Sequence, residues 1–450
     1  MRIHILLATM ALNAAAMSPA VAQDSTRARV SARDSSVAQD RAREPSVTLA
    51  EAIALAEKVQ PTVVQAQGNI RNASAQLRAA RGQFLPSVTA NSNAQTSFSE
   101  FQSTNQSGQI TSGSNSNIST GLSASMDLFT GFRRGADIRS ARATGDAADA
   151  NLVDARSQSR LNTTTEFLNA LYGSQLLSVR QASVRRAEEQ LKVAVAKLAS
   201  GSATRSDSLR SLVTLGTARL QLITAQADLA QAEANLGRLV GINARVRAAD
   251  DSAYYQVISI VDTNALRAEL RARSPRVQNT IATRNAAQAT LASARSAYWP
   301  TLSLNGNYNY NGNGDNNYNL LNNRSLTLQL SWPLFNRFTR ERNITTQETN
   351  LDNATAQADD AEREVQAALT AQIAQLDAAR LGIEITQVSI RAAEEDLRVQ
   401  QERYRLGAST IVDLLTSQEA LDQAEVDAVN ARFNYLRAKA QIEALIGRPL

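Results

Sequence analysis

The sequence predicts a mainly α-helical chain with a β component, made of one module used twice, each copy holding a strand pair and long coiled-coil helices. Three observations predict it. Landmark residues of the first half recur in the second at fixed offsets. Stretches of two-residue alternation flank a Gly/Asn/Ser-rich tip in each half. Apolar residues return every seven positions over long Ala-rich segments.

The repeat is read from proline, glycine and acidic landmarks. Pro61 and Pro275 are 214 residues apart, as are Pro86 and Pro300. Leu128-Phe129 and Leu334-Phe335, Gly201 and Gly407, Asp207 and Asp413, and Gly241 and Gly447 are all 206 apart. The first half therefore holds eight extra residues between Pro86 and Leu128, in one variable loop. An offset kept across about a hundred residues marks a duplication, and its period is too long for a solenoid. The two repeats are assigned to 46–250 and 251–450.

Ahead of them, residues 1–22 read as a secretory signal peptide, with Arg2, an apolar run over 3–16 and a small-x-small end at Ala20-Val21-Ala22. Residues 23–45 are polar, charged and aperiodic, a flexible leader. The chain has no cysteine, and its one histidine, His4, lies in the signal. This excludes disulfides, thiolate metal sites and cysteine nucleophiles, and it removes the side chain used most for acid–base work near neutral pH. No catalytic residue, metal or cofactor is expected. The formal charge of +5 comes from interleaved basic and acidic residues, which mark solvated helix faces and not a nucleic-acid stripe. No later run of about 18 apolar residues occurs, so a membrane would be crossed only as a closed β-barrel.

Each half opens on an Ala-rich amphipathic helical stretch, 49–84 and 266–299, with Pro61 or Pro275 at a kink or the start of a fresh helix. Strands follow at about 86–102 and 117–130, and at about 300–311 and 324–335. Leu122, Ala124, Met126 and Leu128 alternate with polar residues. So do Leu302, Leu304, Gly306, Tyr308 and Tyr310, and then Leu326, Leu328, Leu330 and Trp332. The tips, 103–116 and 311–323, are hairpin loops. Coiled-coil helices occupy about 134–240 and 337–446. Leu177, Val184, Leu191 and Leu198 keep a heptad, and Ile383, Ile390, Leu397 and Tyr404 keep it 206 residues on. Leu215, Leu222, Leu229 and Leu236 form a third series. A helix over 134–198 spans roughly 100 Å. Gly201 and Gly407 end the long helices in tight turns. Ser206 or Asp207, and Ser409 or Thr410, are the candidate caps of the next helices.

Four strands do not close a barrel, and open edges in lipid leave backbone groups unpaired, so other copies of the chain have to complete it. Three copies supply twelve strands running on into a ring of twelve helical segments. Phe84, Phe129, Phe132, Tyr298, Trp299, Trp332, Phe335 and Phe338 gather where strands meet helices. Among them Phe129, Trp299, Trp332 and Phe335 are the candidates for a girdle at the membrane–water boundary. Aromatic packing at a sheet–helix junction is the other role such a cluster fills.

Within this layout, the segment Tyr404-Arg405-Leu406-Gly407-Ala408-Ser409-Thr410-Ile411-Val412-Asp413-Leu414-Leu415, with Pro86/Pro300 and the two Leu-Phe pairs, resembles the TolC-like outer-membrane efflux protein family over 47–450. The resemblance implies a homotrimer with a 12-stranded transmembrane β-barrel in outer-membrane lipid and a long coiled-coil α-helical barrel in the periplasm. It implies a passive exit duct for a tripartite efflux or type I secretion system, served by a periplasmic adaptor (membrane fusion) protein and an inner-membrane pump. Gly201 and Gly407 would be the adaptor-docking turns. The coiled-coil ends would close the periplasmic entrance, with Tyr404 linking neighbouring coiled coils, Asp207 its carboxylate partner, and Asp413 in a ring whose carboxylates raise one another's pKa. Two positions depart from the family pattern. The second ring aspartate falls on Thr416 and the linking arginine on Ser409, which implies a less acidic and more weakly latched entrance, with Arg403 or Arg405 as candidate substitutes. Read without the resemblance, Asp413 also fits a capping carboxylate at a helix start.

Other classes fit less well. A periplasmic adaptor has one coiled-coil hairpin per chain. A secreted coiled-coil filament subunit without transport activity shares the missing cysteines and the Ala/Asn/Gln/Ser richness, but such subunits leave without a cleaved signal. A carboxylate-only hydrolase needs two acids converging on a pocket, whereas these acids are spread along helix faces.

Overall fold

The computed structural model describes residues 45–101, 111–255, 263–313 and 319–450; the expected signal peptide, nearly all of the leader and parts of both predicted tips lie outside them. The first half runs β1 (Ser46–Val47), α1 (Leu49–Val59), α2 (Pro61–Gly82), β2 (Ser87–Phe101), β3 (Thr111–Phe129), α3 (Arg133–Ala199), α4 (Arg205–Val240) and β4 (Arg247–Ala248). The second runs α5 (Thr263–Arg273), α6 (Pro275–Ala294), β5 (Thr301–Asn313), β6 (Leu321–Ser331), α7 (Thr339–Arg405) and α8 (Ile411–Ile446). Helices α3 and α7 have 67 residues each, and α4 and α8 have 36 each, so the duplication is kept to the residue in the coiled coils.

Both prolines start fresh helices. Pro61 and Pro275 stand at the first helical positions of α2 and α6, where the missing N–H has no helical partner to lose. The strands run further than the alternation indicates. The β2–β3 ladder continues from Gln95↔Asn117 to Phe101↔Thr111, so 111–116 is strand and not tip loop. The sequence there, Thr-Ser-Gly-Ser-Asn-Ser, has no apolar residue to alternate with the polar ones, which hides the period of two. The second tip is shorter than expected as well: β5 continues through Gly312 to Asn313, and β6 begins at Leu321, but β6 ends at Ser331, short of the expected 335.

The four long strands form one antiparallel sheet in the order β2-β3-β5-β6. Its register sorts the side chains. Val88 pairs with Ala124, Ala124 with Gly306 and Gly306 with Leu326; one step outward, Ala90, Leu122, Tyr308 and Arg324 form the next row of the same face. Met126, Leu304 and Leu328 continue that face toward the helices. The opposite face carries Asn91, Ser123, Ser125, Asn305, Asn307, Thr327 and Gln329. Side chains alternate along a strand, so only this register keeps the apolar residues of all four strands together. A bulge between Asp127 and Phe129 shifts the pairing where β3 nears the helices. Strands β2 and β6 are the edges of the sheet.

In the helical part, α3 packs on α4 and α7 on α8. Leu177, Val184, Leu215, Leu229 and Leu236 are buried in the first pair, while Leu198 at its end is 36% exposed. In the second pair Leu397 and Tyr404 are buried, whereas Ile383 and Ile390 are only half-buried. The main core joins the two halves, with Phe167 and Leu171 of α3, Leu236 of α4, Leu270 of α5, Leu369 of α7, and Phe433 and Ile442 of α8. Phe433 meets Tyr172 edge-on at 5.6 Å and Tyr255 at 6.5 Å. The two-residue parallel ladder of β1 with β4, not foreseen from sequence, ties the start of the first half to its end. Among the described residues no helix is long and apolar enough to cross a membrane.

Phe433 is fully buried and packs against rings from two other elements. Phe433→Ala should cost about 3–5 kcal/mol, read as a lower midpoint in chemical denaturation.

Candidate functional site

The hairpin ends are built the same way twice. After α3, the Ser202 N–H bonds the Lys197 carbonyl at 2.9 Å and the Gly201 N–H bonds Leu198 at 3.1 Å; after α7, Ala408 bonds Arg403 at 2.8 Å and Gly407 bonds Tyr404 at 3.2 Å. This double closure needs a left-handed residue, and Gly201 (φ 72°) and Gly407 (φ 77°) supply it. Nothing lies within 4 Å of a Cβ built on either glycine, so the requirement is conformational and not one of space.

The helix starts refine the expected caps. Thr204 and Thr410 are the N-caps, and Asp207 and Asp413 sit three residues on, each completing a capping box. Ser206 is not the cap, and Ser409 donates to Gln400 Oε1 (2.9 Å) and Asp413 Oδ2 (3.3 Å) instead. The Thr-x-x-Asp spacing, present at both sites, was the signal that could have found Thr204. Asp413 Oδ2 also accepts from the Thr410 N–H at 3.1 Å and hydroxyl at 2.8 Å. The Thr410 contacts, aided by Ser409 and Arg403, hold its carboxyl below the usual range within one chain, opposite to the upward shift expected of a crowded ring. Asp207 spends its carboxylate on the Thr204 N–H at 2.8 Å.

Tyr404 lies buried with Leu397, Ile411, Leu414 and Leu421. Its hydroxyl has no hydrogen-bond partner among the described residues, Asp207 included. Burial, and then the Asp207 charge, push that hydroxyl above its usual pKa. Neither candidate arginine joins the two hairpins: Arg403 donates to Ala408 O at 3.4 Å and Arg405 pairs with Glu402 at 3.0 Å. Lys197 does so. Its ammonium lies 4.5 Å from the centroid of the Tyr404 ring and donates to the Tyr404 carbonyl. Thr416 is exposed in the groove between α4 and α8, near Ser206, Leu209 and Arg210. Further along, Arg186 of α3 binds Asp422 (2.5 Å) and Glu425 (2.6 Å) of α8, and Ser183 donates to Asp422 at 2.6 Å.

At the other end, both strand-to-helix junctions use left-handed residues: Gly131 and Phe132 in the first half, Arg337 and Phe338 in the second. Thr130 Oγ1 accepts from the Arg134 N–H and Asn336 Oδ1 from the Arg340 N–H, each at 3.4 Å. Arg134 then lies over Phe84 at 4.4 Å, and Arg340 over Tyr298 at 4.1 Å. Phe129, Phe132 and Trp299 form an edge-to-face chain with spacings of 5.5 and 5.7 Å. Phe335 meets Phe338 at 5.5 Å, and the Trp332 indole N–H donates to Tyr298 O at 3.2 Å. Trp299, Trp332 and Phe335 nonetheless stay more than half exposed, so these rings pack at the junction and still present a face outward.

With this geometry in hand, the family profile described as outer membrane efflux protein matches residues 52–242 and 266–448. The chain belongs to that family. Its fold matches VceC, an outer membrane protein of Vibrio cholerae, with TM-score 0.72 and 17% identity over 89% of this chain and 96% of that one. It also matches the CmeC outer membrane channel of Campylobacter jejuni (0.74, 17%, 89% and 85%) and the open state of the MtrE outer membrane channel of Neisseria gonorrhoeae (0.71, 19%, 89% and 89%). A comparison with curated protein sequences finds no match.

The capping boxes make a pH prediction. The carboxyl of Asp413 is depressed in the fold, so its contribution is complete above the unfolded value of about 4 and is lost as pH falls through the folded one. The protection of amides at the start of α8 against exchange, relative to the unfolded chain at the same pH, should therefore fall only in acid, and Asp413→Asn should remove that dependence. Thr410→Ala should cost about 1 kcal/mol at the same helix end.

Proposed function

We propose that the chain is the exit duct of a tripartite efflux or type I secretion system, a homotrimer that passively conducts cargo handed over by a periplasmic adaptor and an inner-membrane pump. The observation that carries this reading is the sheet: one apolar face, one polar face, and two unpaired edges running on into long helices. Apolar residues suit lipid, and open edges in lipid have to be paired, so β6 of one copy would join β2 of the next. Exposed apolar residues on α4 (Leu212, Val213, Leu220, Ile223) and on α7 (Leu381, Ile385, Val388) supply helix faces for the same neighbours. The polar face would line the lumen. Ser, Thr, Asn and Gln dominate it, and such neutral groups let solutes of either charge pass without tight binding.

The hairpin ends would form the periplasmic entrance, with Gly201 and Gly407 at the adaptor contact. Because the Tyr404 hydroxyl has no partner among the described residues of one chain, its removal costs one chain little. Tyr404→Phe combined with Asp207→Ala should raise the conductance of the purified channel in a planar bilayer; unchanged conductance rejects the latch. The duct itself is tested by membrane fractionation and gel electrophoresis without heating. A heat-modifiable trimer in the outer membrane is expected, and a soluble or filamentous product rejects the reading.

A further inference from the structure

The outward end of the apolar sheet face holds a group that neither the duct nor the junctions use. Arg324 on β6 lies with its guanidinium 5.0 Å from the centroid of the Tyr308 ring on β5. Tyr308 and Tyr310 stand edge-to-face at 5.4 Å with their hydroxyls 2.8 Å apart, and Asn322 Nδ2 donates to the Tyr308 hydroxyl at 3.0 Å. Only one of the two hydroxyl hydrogens bridges the tyrosine pair, so one O–H is left to donate outward. Beside the tyrosines a shallow groove runs over Ala90, Ser92, Thr120 and Leu122.

We propose that Arg324, Tyr308 and Tyr310 bind the phosphate of an outer-leaflet lipid headgroup, an inference that rests on the duct reading. Three arguments support it. Arg324 shares the face of Leu326, Leu328 and Leu330, and its guanidinium lies over the Tyr308 ring. A guanidinium on a lipid-facing surface is costly unless it reaches the interface and an anion, and its planar fork suits phosphate. Its height also fits. Eight residues separate Arg324 from Trp332 at the helix junction, about 26 Å along the strand. A strand tilt near 40° reduces this to about 20 Å, close to an apolar band of about 25 Å. Arg324 therefore stands at the boundary away from the helices, where headgroups begin, with the groove beside it for an acyl chain.

The test uses the purified full-length trimer and native mass spectrometry with bis-phosphorylated lipid A, the same lipid without phosphates, and inorganic phosphate. The wild type should retain the phosphorylated lipid at least about tenfold better than the dephosphorylated one, the scale of one charge-assisted hydrogen bond. Arg324→Gln should abolish the preference and Arg324→Lys should keep part of it. Equal retention of both lipids, or a preference unchanged in Arg324→Gln, overturns the proposal. Displacement by millimolar inorganic phosphate overturns the lipid as the source of the anion. A loss of trimer stability in Arg324→Gln with the lipid preference intact assigns Arg324 to an ion pair between copies and also overturns it. A wild type that is no outer-membrane trimer defeats the duct reading before any lipid is added, which keeps the two failures distinct.

Discussion

Backbone pairing across the four-stranded sheet is the constraint on which the other features depend. Each strand residue has to spend its N–H and C=O on a neighbour, and side-chain direction then follows from register alone. With Val88 opposite Ala124 and Leu304 opposite Leu328, the rows nearest the helices place their apolar members on the same side. A slip by one residue between any two strands would put leucines among asparagines. The same pairing leaves β2 and β6 with unsatisfied edges. Lipid offers no water to satisfy them, so the sheet is stable in a membrane only as part of a larger closed structure.

The turn from sheet to helix is met by the same device twice. Phe132 and Phe338 take left-handed backbone angles, a conformation that costs an L-residue roughly 1–2 kcal/mol. A hydrogen bond from the first helical turn to Thr130 or Asn336, and an arginine laid over a ring at the end of the preceding helix, offset that cost. The two junctions differ where Trp299 crosses the first one. A Cβ on Gly131 would collide with the Trp299 Cβ, so glycine is required there, while its counterpart Arg337 carries a full side chain at φ 56°.

At the opposite end the duplication is kept in backbone and broken in side chains. Both turns share the glycine closure and the Thr-x-x-Asp cap. The aspartates thus have a local task in each chain, whatever they do between chains. At the turns, Lys197 and Tyr404 make a contact between the hairpins, and neither has an equivalent at the matched position of the other half, where Arg403 and Leu198 stand. The carbonyl Lys197 meets belongs to the C-terminal turn of α7, where the helix dipole favours a cation.

Much of the fold was legible because it rests on local periodicity. The fixed offsets, the heptads and the two prolines located the helices, and Leu122–Leu128 and Leu326–Leu330 revealed their strands directly. The strand ends were not legible, since 111–116 has no apolar residue to alternate with its Thr, Ser, Gly and Asn. Among the site residues, the turn glycines follow from sequence because a left-handed closure is a backbone demand. The partners of Tyr404, Arg186, Arg134 and Arg340 do not, because each contact joins residues from separate elements. Sequence by itself determined where the long helices and the central parts of the four long strands lie and that the module occurs twice. Only the tertiary structure decided which basic side chain meets Tyr404 between the hairpins and which carboxylates receive Arg186, because those choices depend on distances that no spacing along the chain encodes.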